Sequence, residues 1–179
     1  MKKIIYSIVG LVVMASCSQN PNNAKQKQQE NITQIENFVD SVRKTRPVTP
    51  DEMYNLINNY WQYYTENPTD SLSPVFLYRA AESSLYINQG LKAISYLKRI
   101  ETEFPTFKNL SNVLFLIGFT YENNEKSYDA ARKYYELFLE KYPDHALAND
   151  TKILIKNLGK TPEELIKEFE EANAKKGTN

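Results

Sequence analysis

Cysteine, histidine and glycine are scarce in this chain of 179 residues, which contains one, one and five of them respectively. A lone cysteine cannot form an internal disulfide, and one cysteine with one histidine cannot supply the four ligands of an ordinary zinc site. No two glycines lie close enough to build a phosphate-binding loop or a dinucleotide fingerprint. We therefore expect neither a metal nor a cofactor, and most familiar enzyme classes are excluded.

An excess of charge of one sign is also missing, because 22 basic residues are matched by 22 acidic ones. A protein that neutralises phosphates needs a basic surplus, so nucleic acid is not expected among the partners. The single histidine, His145, follows Pro143 and Asp144 between two predicted helices, and no nucleophile is implied beside it. A role in the turn or at the helix start is expected for it, so the composition favours a protein that is not an enzyme.

The first apolar run of the chain is too short to cross a membrane. It covers residues 4–15 behind Lys2 and Lys3, whereas a membrane-spanning helix needs about 20 apolar residues. A short apolar run behind a basic start is typical of an export signal. Residues 1–16 are therefore predicted to be a signal peptide.

Residues 14–17, Met-Ala-Ser-Cys, resemble the bacterial lipobox, in which an apolar residue and two small residues precede a cysteine. The resemblance implies cleavage before Cys17, diacylation of its thiol and acylation of its new amine, with palmitate as an expected acyl chain. Several acyl chains anchor a protein stably to a membrane, which a single chain does not. The alternative is an ordinary secretory signal in which the cysteine occurs by chance.

The residues directly after the cysteine bear on the destination of a lipoprotein. Here they are Ser18, Gln19 and Asn20. The lack of Asp is similar to the enterobacterial pattern that favours the outer membrane, and the lack of an acidic run differs from the Bacteroidota signal for export to the outer surface. The resemblance implies a protein of the cell envelope, lipid-anchored in the outer membrane and facing the periplasm.

The two ends of the mature chain have the composition of disordered segments. Residues 18–30 are polar, include Pro21 and contain no large apolar side chain, so they cannot contribute to a core. Residues 17–30 are therefore predicted to be a lipidated cysteine followed by a flexible tether. Residues 174–179 are predicted to be a disordered tail.

Between these ends the apolar residues recur at three- and four-residue steps, which is the helical period, and no segment alternates long enough for a strand. Residues 31–173 are long enough for one domain. The pattern predicts an all-α domain of eight helices, near residues 32–45, 51–66, 74–87, 90–103, 107–122, 127–142, 145–157 and 162–173.

Capping residues support several of these boundaries. Thr49 and Thr161 are each followed by proline and, three residues on, by glutamate, the pattern of a capping box with proline at the first helical position. Ser73, followed by Pro74, predicts a third helix start of this kind. Gly159 follows a predicted helix, where glycine commonly ends one.

Three of the predicted helices end alike, one or two residues before Pro68, Pro105 and Pro143, which are spaced 37 and 38 residues apart. Twelve, eight and five residues before each proline lie small or large apolar residues: Leu56, Tyr60 and Tyr63; Ala93, Leu97 and Ile100; Ala131, Tyr135 and Phe138. This register resembles the second helix of a tetratricopeptide repeat. Leu114, Ile117, Gly118 and Tyr121 match the first helix of that repeat, most clearly over residues 107–143.

The resemblance covers residues 31–173 and implies a tetratricopeptide-like α-solenoid of about four helical hairpins. The ending around Gly159, with its capping box and following apolar residues, resembles small envelope lipoproteins of this family. In the family, outward positions of each first helix line a concave groove that grips a peptide or a partner helix. Carried onto this chain, the register assigns six residues to a partner-binding groove: Tyr78, Glu82, Phe115, Phe119, Glu122 and Asp150.

Two alternatives stay open for the aromatic residues. Phe115 and Phe119 lie one turn apart, and the helix around them is apolar nearly all round, so both fit plain packing as well as the groove. The 13 tyrosines, with Trp61, also fit a concavity that stacks sugars, for which Trp61 and Tyr64 are the candidates. The favoured function is a membrane-anchored scaffold that binds an envelope protein or peptide segment and assists assembly or coordination of an envelope complex. The alternative is a lipoprotein that binds a small ligand or glycan.

Two serines lie in a possible modification pattern. Asp40-Ser41-Val42 and Asp70-Ser71-Leu72 resemble the Asp-Ser/Thr-apolar pattern of O-glycosylation in Bacteroidota. Ser71 is the better candidate, because it falls in a predicted loop rather than in a helix.

Overall fold

The structure is a computed structural model that describes residues 21–176. Over this range the chain forms eight α-helices and no strand. In chain order they are α1 (Pro21–Arg43), α2 (Pro50–Glu66), α3 (Ser73–Tyr86), α4 (Gly90–Glu103), α5 (Leu110–Asn123), α6 (Tyr128–Lys141), α7 (Ala148–Asn157) and α8 (Pro162–Lys176). Each helix from α1 to α6 packs on the next one in the chain, which confirms the predicted all-α solenoid of helical hairpins.

The repeat register inferred from the three prolines is confirmed by burial. All nine residues placed twelve, eight and five positions before a proline are buried, and they lie on α2, α4 and α6. Leu114 and Ile117 of α5 are buried in the same way. The second helix of each of the first three hairpins therefore presents one stripe to the core, as a helix of period 3.6 does when it packs on its neighbours.

Gly118 lets α5 and α6 approach closely. A β-carbon placed on this glycine would lie 2.7 Å from Cδ1 of Tyr135 and 3.3 Å from the carbonyl oxygen of Ala131. The Tyr135 ring cannot easily move aside, because it is buried and its hydroxyl donates to Oε2 of Glu122 at 2.6 Å. The close pairing of these two helices therefore has a steric requirement for glycine at position 118.

The first helix begins eleven residues earlier than predicted, at Pro21. Residues 21–30 of the predicted tether are thus helical, while residues 17–20 lie outside the described part of the chain. Polar partners on and after α2 account for the difference: Lys25 pairs with Asp70 at 2.9 Å, and the Gln29 amide donates to the Tyr63 hydroxyl at 2.7 Å. Composition showed that this stretch lacks apolar residues, but it did not show that its amides and lysine meet polar groups.

Two of the three predicted capping motifs are present. Thr49 accepts from the backbone N–H of Glu52, whose carboxylate accepts from the backbone N–H of Thr49. Thr161 and Glu164 make the same reciprocal pair. Ser73 begins α3 with Pro74 in the first turn, as predicted, but its capping role is wrong: Leu72 is the residue before the helix, and the buried Ser73 hydroxyl donates to the carbonyl of Asn67 at 2.5 Å.

Other boundaries shift by up to three residues. Helices α5 and α7 begin at Leu110 and Ala148, three residues after their predicted starts, because turns occupy the segments before them. Gly159 adopts a left-handed φ of 77° just after α7, as expected of a glycine that ends a helix. Helix α8 continues to Lys176, so residues 174–176 of the predicted tail are helical, and residues 177–179 lie outside the described range.

The apolar core is uneven along the solenoid. One buried cluster runs from Ile32 on α1 to Ile117 on α5. Helix α7 buries only Ala148 and Thr151, and none of the described side chains of α8 is buried. Ile166 and Phe169 on α8 are 58% and 68% exposed. The carboxyl-terminal hairpin is therefore held by far less apolar contact than the first three.

Candidate functional site

A cleft of about 460 Å³ lies between α1 and α3, the first helices of two neighbouring hairpins. Each wall is a single stripe at i, i+3, i+4 and i+7, which is one face of a helix. The α1 wall consists of Glu36, Val39, Asp40 and Arg43, the α3 wall of Arg79, Glu82, Ser83 and Tyr86, and Leu56 and Tyr60 of α2 form the floor. The cleft thus lies on the side of the solenoid that the first helices line.

Two contacts bridge the walls. At one position Arg79 pairs with Glu36 at 2.5 Å, and the same carboxylate oxygen accepts from the Tyr60 hydroxyl at 2.6 Å. Seven residues further along both helices, the Arg43 guanidinium lies 5.3 Å from the centre of the Tyr86 ring. Seven residues of helix span about 10 Å, so the space between the bridges accommodates about three residues of extended chain.

The carboxylates of the cleft differ in how they are partnered. Glu36 is hydrogen-bonded by Arg79 and Tyr60, and Asp40 contacts Arg43 at 3.4 Å. Glu82 makes no hydrogen bond or ion pair with the described residues. Partial desolvation by the surrounding protein raises the pKa of the Glu82 carboxyl, and the charge of Arg79 offsets part of this effect. Glu82 is therefore the carboxylate whose charge is least compensated.

Glu82 and Tyr78, both assigned to the groove from sequence, lie one turn apart on α3. Glu82 lines the cleft. Tyr78 is half-buried, and its ring contacts that of Phe107, with 6.5 Å between the ring centres. Burial, and next the nearby charge of Glu82, raise the pKa of Tyr78. The structure thus places Tyr78 at the junction between the second and third hairpins.

The α5 residues assigned to the groove are partly engaged in packing. Phe115 is half-buried and contacts Phe119, Tyr135 and Phe138, with ring centres 6.1, 5.8 and 5.8 Å away. Phe119 is 40% exposed, so it offers more free apolar surface than Phe115. The half-buried Glu122 accepts a hydrogen bond from Tyr135. Of these three side chains, Phe119 is the one best placed to contact a partner.

The last two assigned residues lie towards the ends of the chain. Asp150 is exposed in the first turn of α7. Cys17, the predicted lipidation site, lies outside the described residues.

The two serines in the glycosylation pattern differ in their surroundings. Ser71 is exposed in the turn between α2 and α3, whereas Ser41 lies on α1 and its hydroxyl donates to the Phe38 carbonyl at 2.7 Å.

The α1 wall of the cleft was not identified from sequence. Its polar residues Glu36, Asp40 and Arg43 follow a four- and three-residue step that places them on one helix face. This spacing was a usable signal. The repeat register assigned groove residues only to α3, α5 and α7, so it did not point to α1.

The aromatic pair suggested for stacking sugars is occupied by protein. Trp61 lies 5.2 Å from Tyr64 and 5.6 Å from Tyr96, measured between ring centres. The Arg99 guanidinium lies 5.3 Å above the Trp61 ring and 5.4 Å above the Tyr64 ring. These rings therefore form the seam between α2 and α4 and do not line the cleft.

Three features of the fold are typical of stacked helical hairpins. They are the order of the helices, the buried repeat register and the close approach of α5 and α6 at Gly118. Residues 112–145 match the family model of the tetratricopeptide repeat. The matched segment contains α6 and all but the first two residues of α5, where the sequence register was clearest. No curated protein matches the chain. The fold is a tetratricopeptide-like solenoid, and tetratricopeptide repeats generally bind other proteins without catalysing a reaction.

His145 occupies the position expected for it, in the turn between α6 and α7. Its Nδ1 accepts from the backbone N–H of Leu147 at 3.2 Å, and its ring meets Phe138 edge-on with 5.2 Å between centres. Within residues 21–176 no group of three or more histidine, cysteine or acidic side chains is arranged to hold a metal ion. No helix in the same range is long and apolar enough to span a membrane.

Proposed function

We propose that this protein is a lipid-anchored scaffold of the bacterial envelope, which binds a partner protein and assists assembly or coordination of an envelope complex. The observation that supports the binding role best is the cleft between α1 and α3, on the face that tetratricopeptide-like solenoids use for partners. The exposed ring of Phe119 extends the same role to the third hairpin. The protein acts through binding, not catalysis.

The anchor in this proposal is Cys17, and its support is the lipobox-like sequence of residues 14–17. The acyl chains hold the solenoid at the membrane, in our proposal the periplasmic face of the outer membrane. Restricting the solenoid to that surface raises its effective concentration near a partner in the same membrane, so occupancy rises without any new contact.

The test separates the anchor from the groove in living cells. Cys17→Ser is expected to move the protein from the membrane pellet to the soluble envelope fraction. Photo-crosslinking from Ser83 in the cleft is expected to capture one partner, and Phe119→Asp is expected to reduce that capture. If the Cys17→Ser variant still pellets with membranes, the proposed anchor is wrong. If substitution of Phe119 or of the cleft residues leaves the capture of every partner unchanged, the proposed groove is wrong.

A further inference from the structure

We propose that the cleft between α1 and α3 binds a lysine or arginine side chain from an extended segment of the partner protein, with Glu82 as its counter-charge. This inference rests on the proposed binding function and adds the chemistry of the partner. Three carboxylates and two guanidinium groups line the cleft. The occupant must therefore suit a site with an excess of negative charge.

The two guanidinium groups are already engaged. Arg79 forms the bridge to Glu36, and Arg43 covers one face of Tyr86 while it contacts Asp40 at 3.4 Å. Glu82 has no such partner among the described residues, although the walls partly desolvate it. A carboxylate in this position gains from a cation supplied from outside, because an ion pair is stronger where water is partly excluded.

The shape of the site favours an extended chain over a small, enclosed ligand. Beyond Arg43 and Tyr86 the cleft meets a second hollow, lined by those two residues and residues 44–47. A segment that lies in the cleft can therefore continue past it at the Arg43 and Tyr86 end. The second hollow carries Lys44 and Arg46, so it does not compete for a cation, and the positive side chain is directed to the Glu82 side.

Tyr86 adds a surface that suits the aliphatic stem of a long cationic side chain. Its side chain is 48% exposed, and Arg43 already lies over its ring. Tyr60 and Leu56 supply a buried floor beneath the carboxylates. Lysine and arginine have apolar stems that pack on such surfaces while the charged head remains near a carboxylate.

The experiment uses the full chain purified in detergent and a set of fluorescent heptapeptide pools, each with one fixed central residue. Pools with central arginine or lysine are expected to bind about tenfold more tightly than pools with central norleucine or glutamate. Glu82→Gln is expected to abolish this preference and Glu82→Lys to reverse it towards glutamate. The matched control is Glu136→Gln, an exposed glutamate of α6 outside the cleft, which is expected to change nothing.

Several outcomes overturn the proposal, and they differ in what they say of the binding function. Tight binding of apolar pools that is unaffected by Glu82→Gln leaves partner binding intact but refutes the cationic occupant. Free arginine amide that competes as well as the arginine peptides shows a small-amine site instead of a peptide site. Absence of binding by every pool refutes this inference and counts against partner binding in the groove.

Thermal melting checks the fold of each variant. Glu82→Gln is expected to melt no lower than the wild type, because Glu82 makes no internal hydrogen bond or ion pair that the substitution would remove.

Discussion

At the scale of single residues, Gly118 shows how one missing side chain determines the distance between two helices. Glycine is unfavourable inside a helix by about 1 kcal/mol relative to alanine. Its presence therefore needs a reason, and the reason is the Tyr135 ring, 2.7 Å from where a β-carbon would lie. Sequence periodicity places Gly118 on the face towards α6, whereas the contact that requires it appears only once Tyr135 is positioned.

We predict that Gly118→Ala destabilises the protein by up to about 2 kcal/mol. The gain in helix propensity is about 1 kcal/mol, and overpacking of a buried site costs about 1–3 kcal/mol. Overpacking wins here because Tyr135 is buried and tied to Glu122. Urea unfolding measures the free energy. Lys133→Ala, at an exposed site on α6, is the control. A Gly118→Ala variant that is more stable than the wild type would show that the Tyr135 ring moves aside and would contradict the prediction.

Arg99 illustrates a residue whose role lies in a seam between hairpins. It stacks on Trp61 and Tyr64 of α2, donates to the Tyr64 hydroxyl at 2.9 Å and pairs with Glu103 at 3.1 Å. Lysine keeps the charge but lacks the planar group that stacks on both rings. We predict that Arg99→Lys lowers the free energy of unfolding by about 1 kcal/mol.

The check for Arg99 is a comparison of two chemically identical substitutions. Arg132→Lys, at an exposed position of α6, is expected to leave the free energy of unfolding unchanged. Equal effects of the two substitutions in urea titrations would mean that the stacking on α2 contributes nothing.

At the scale of elements, the presence of each helix could be predicted from the sequence, but the residue at which several helices begin could not. Apolar spacing and the three prolines located all eight helices, because burial of one stripe per helix is a property of the sequence pattern. The late starts of α5 and α7 follow from local turns, in which the backbone N–H of Leu110 donates to Phe107 and that of Ala148 to His145. The early start of α1 depends on where polar groups meet in space. Lys25 finds Asp70 45 residues away, and no local pattern encodes that contact.

The same reason explains the candidate site. Glu82 was found because the repeat register places it on the outward face of α3. Glu36 and Arg43 were missed because their significance depends on facing α3 across the cleft. A register within one hairpin predicts which way a side chain points, but the opposite wall follows only from the packing of two hairpins.

Helix α2 carries a prediction about pH. The Arg46 guanidinium, and then the backbone N–H of Thr49, lower the pKa of Glu52 from 4.5 to about 2. A lowered pKa in the folded state means that the charged form stabilises the fold above about pH 4.5, and this stabilisation is lost as the pH falls towards 2. The wild type is therefore expected to be more stable than Glu52→Gln at neutral pH, and the difference is expected to vanish near pH 2.

The measurement is urea unfolding of both proteins between pH 2 and pH 7. Glutamine can still accept the capping hydrogen bond, so the comparison isolates the charge. A difference between the two proteins that stays constant over this range would refute the proposed titration of Glu52.

At the scale of the whole molecule, the uneven distribution of buried apolar residues predicts that the hairpins differ in how readily they unfold locally. Repeat proteins are held together by contacts between neighbours, so each hairpin opens according to its own packing and its interface. One buried cluster spans α1 to α5, from Ile32 to Ile117, whereas α7 buries only Ala148 and Thr151 and the described side chains of α8 remain exposed or half-buried. Opening should therefore begin at the carboxyl-terminal hairpin.

Hydrogen exchange followed by mass spectrometry tests this order. Peptides from α8 are expected to exchange first, those from α7 next and those from α3 and α4 last, because amides of the central helices exchange only when the shared cluster opens. Thr151→Ala removes a buried hydroxyl that donates to the Leu147 carbonyl at 2.7 Å, and is expected to speed exchange in α7 and α8 while leaving α3 unchanged. Uniform acceleration across all helices would mean that the solenoid opens as a single cooperative unit, and the local origin of stability proposed here would be wrong.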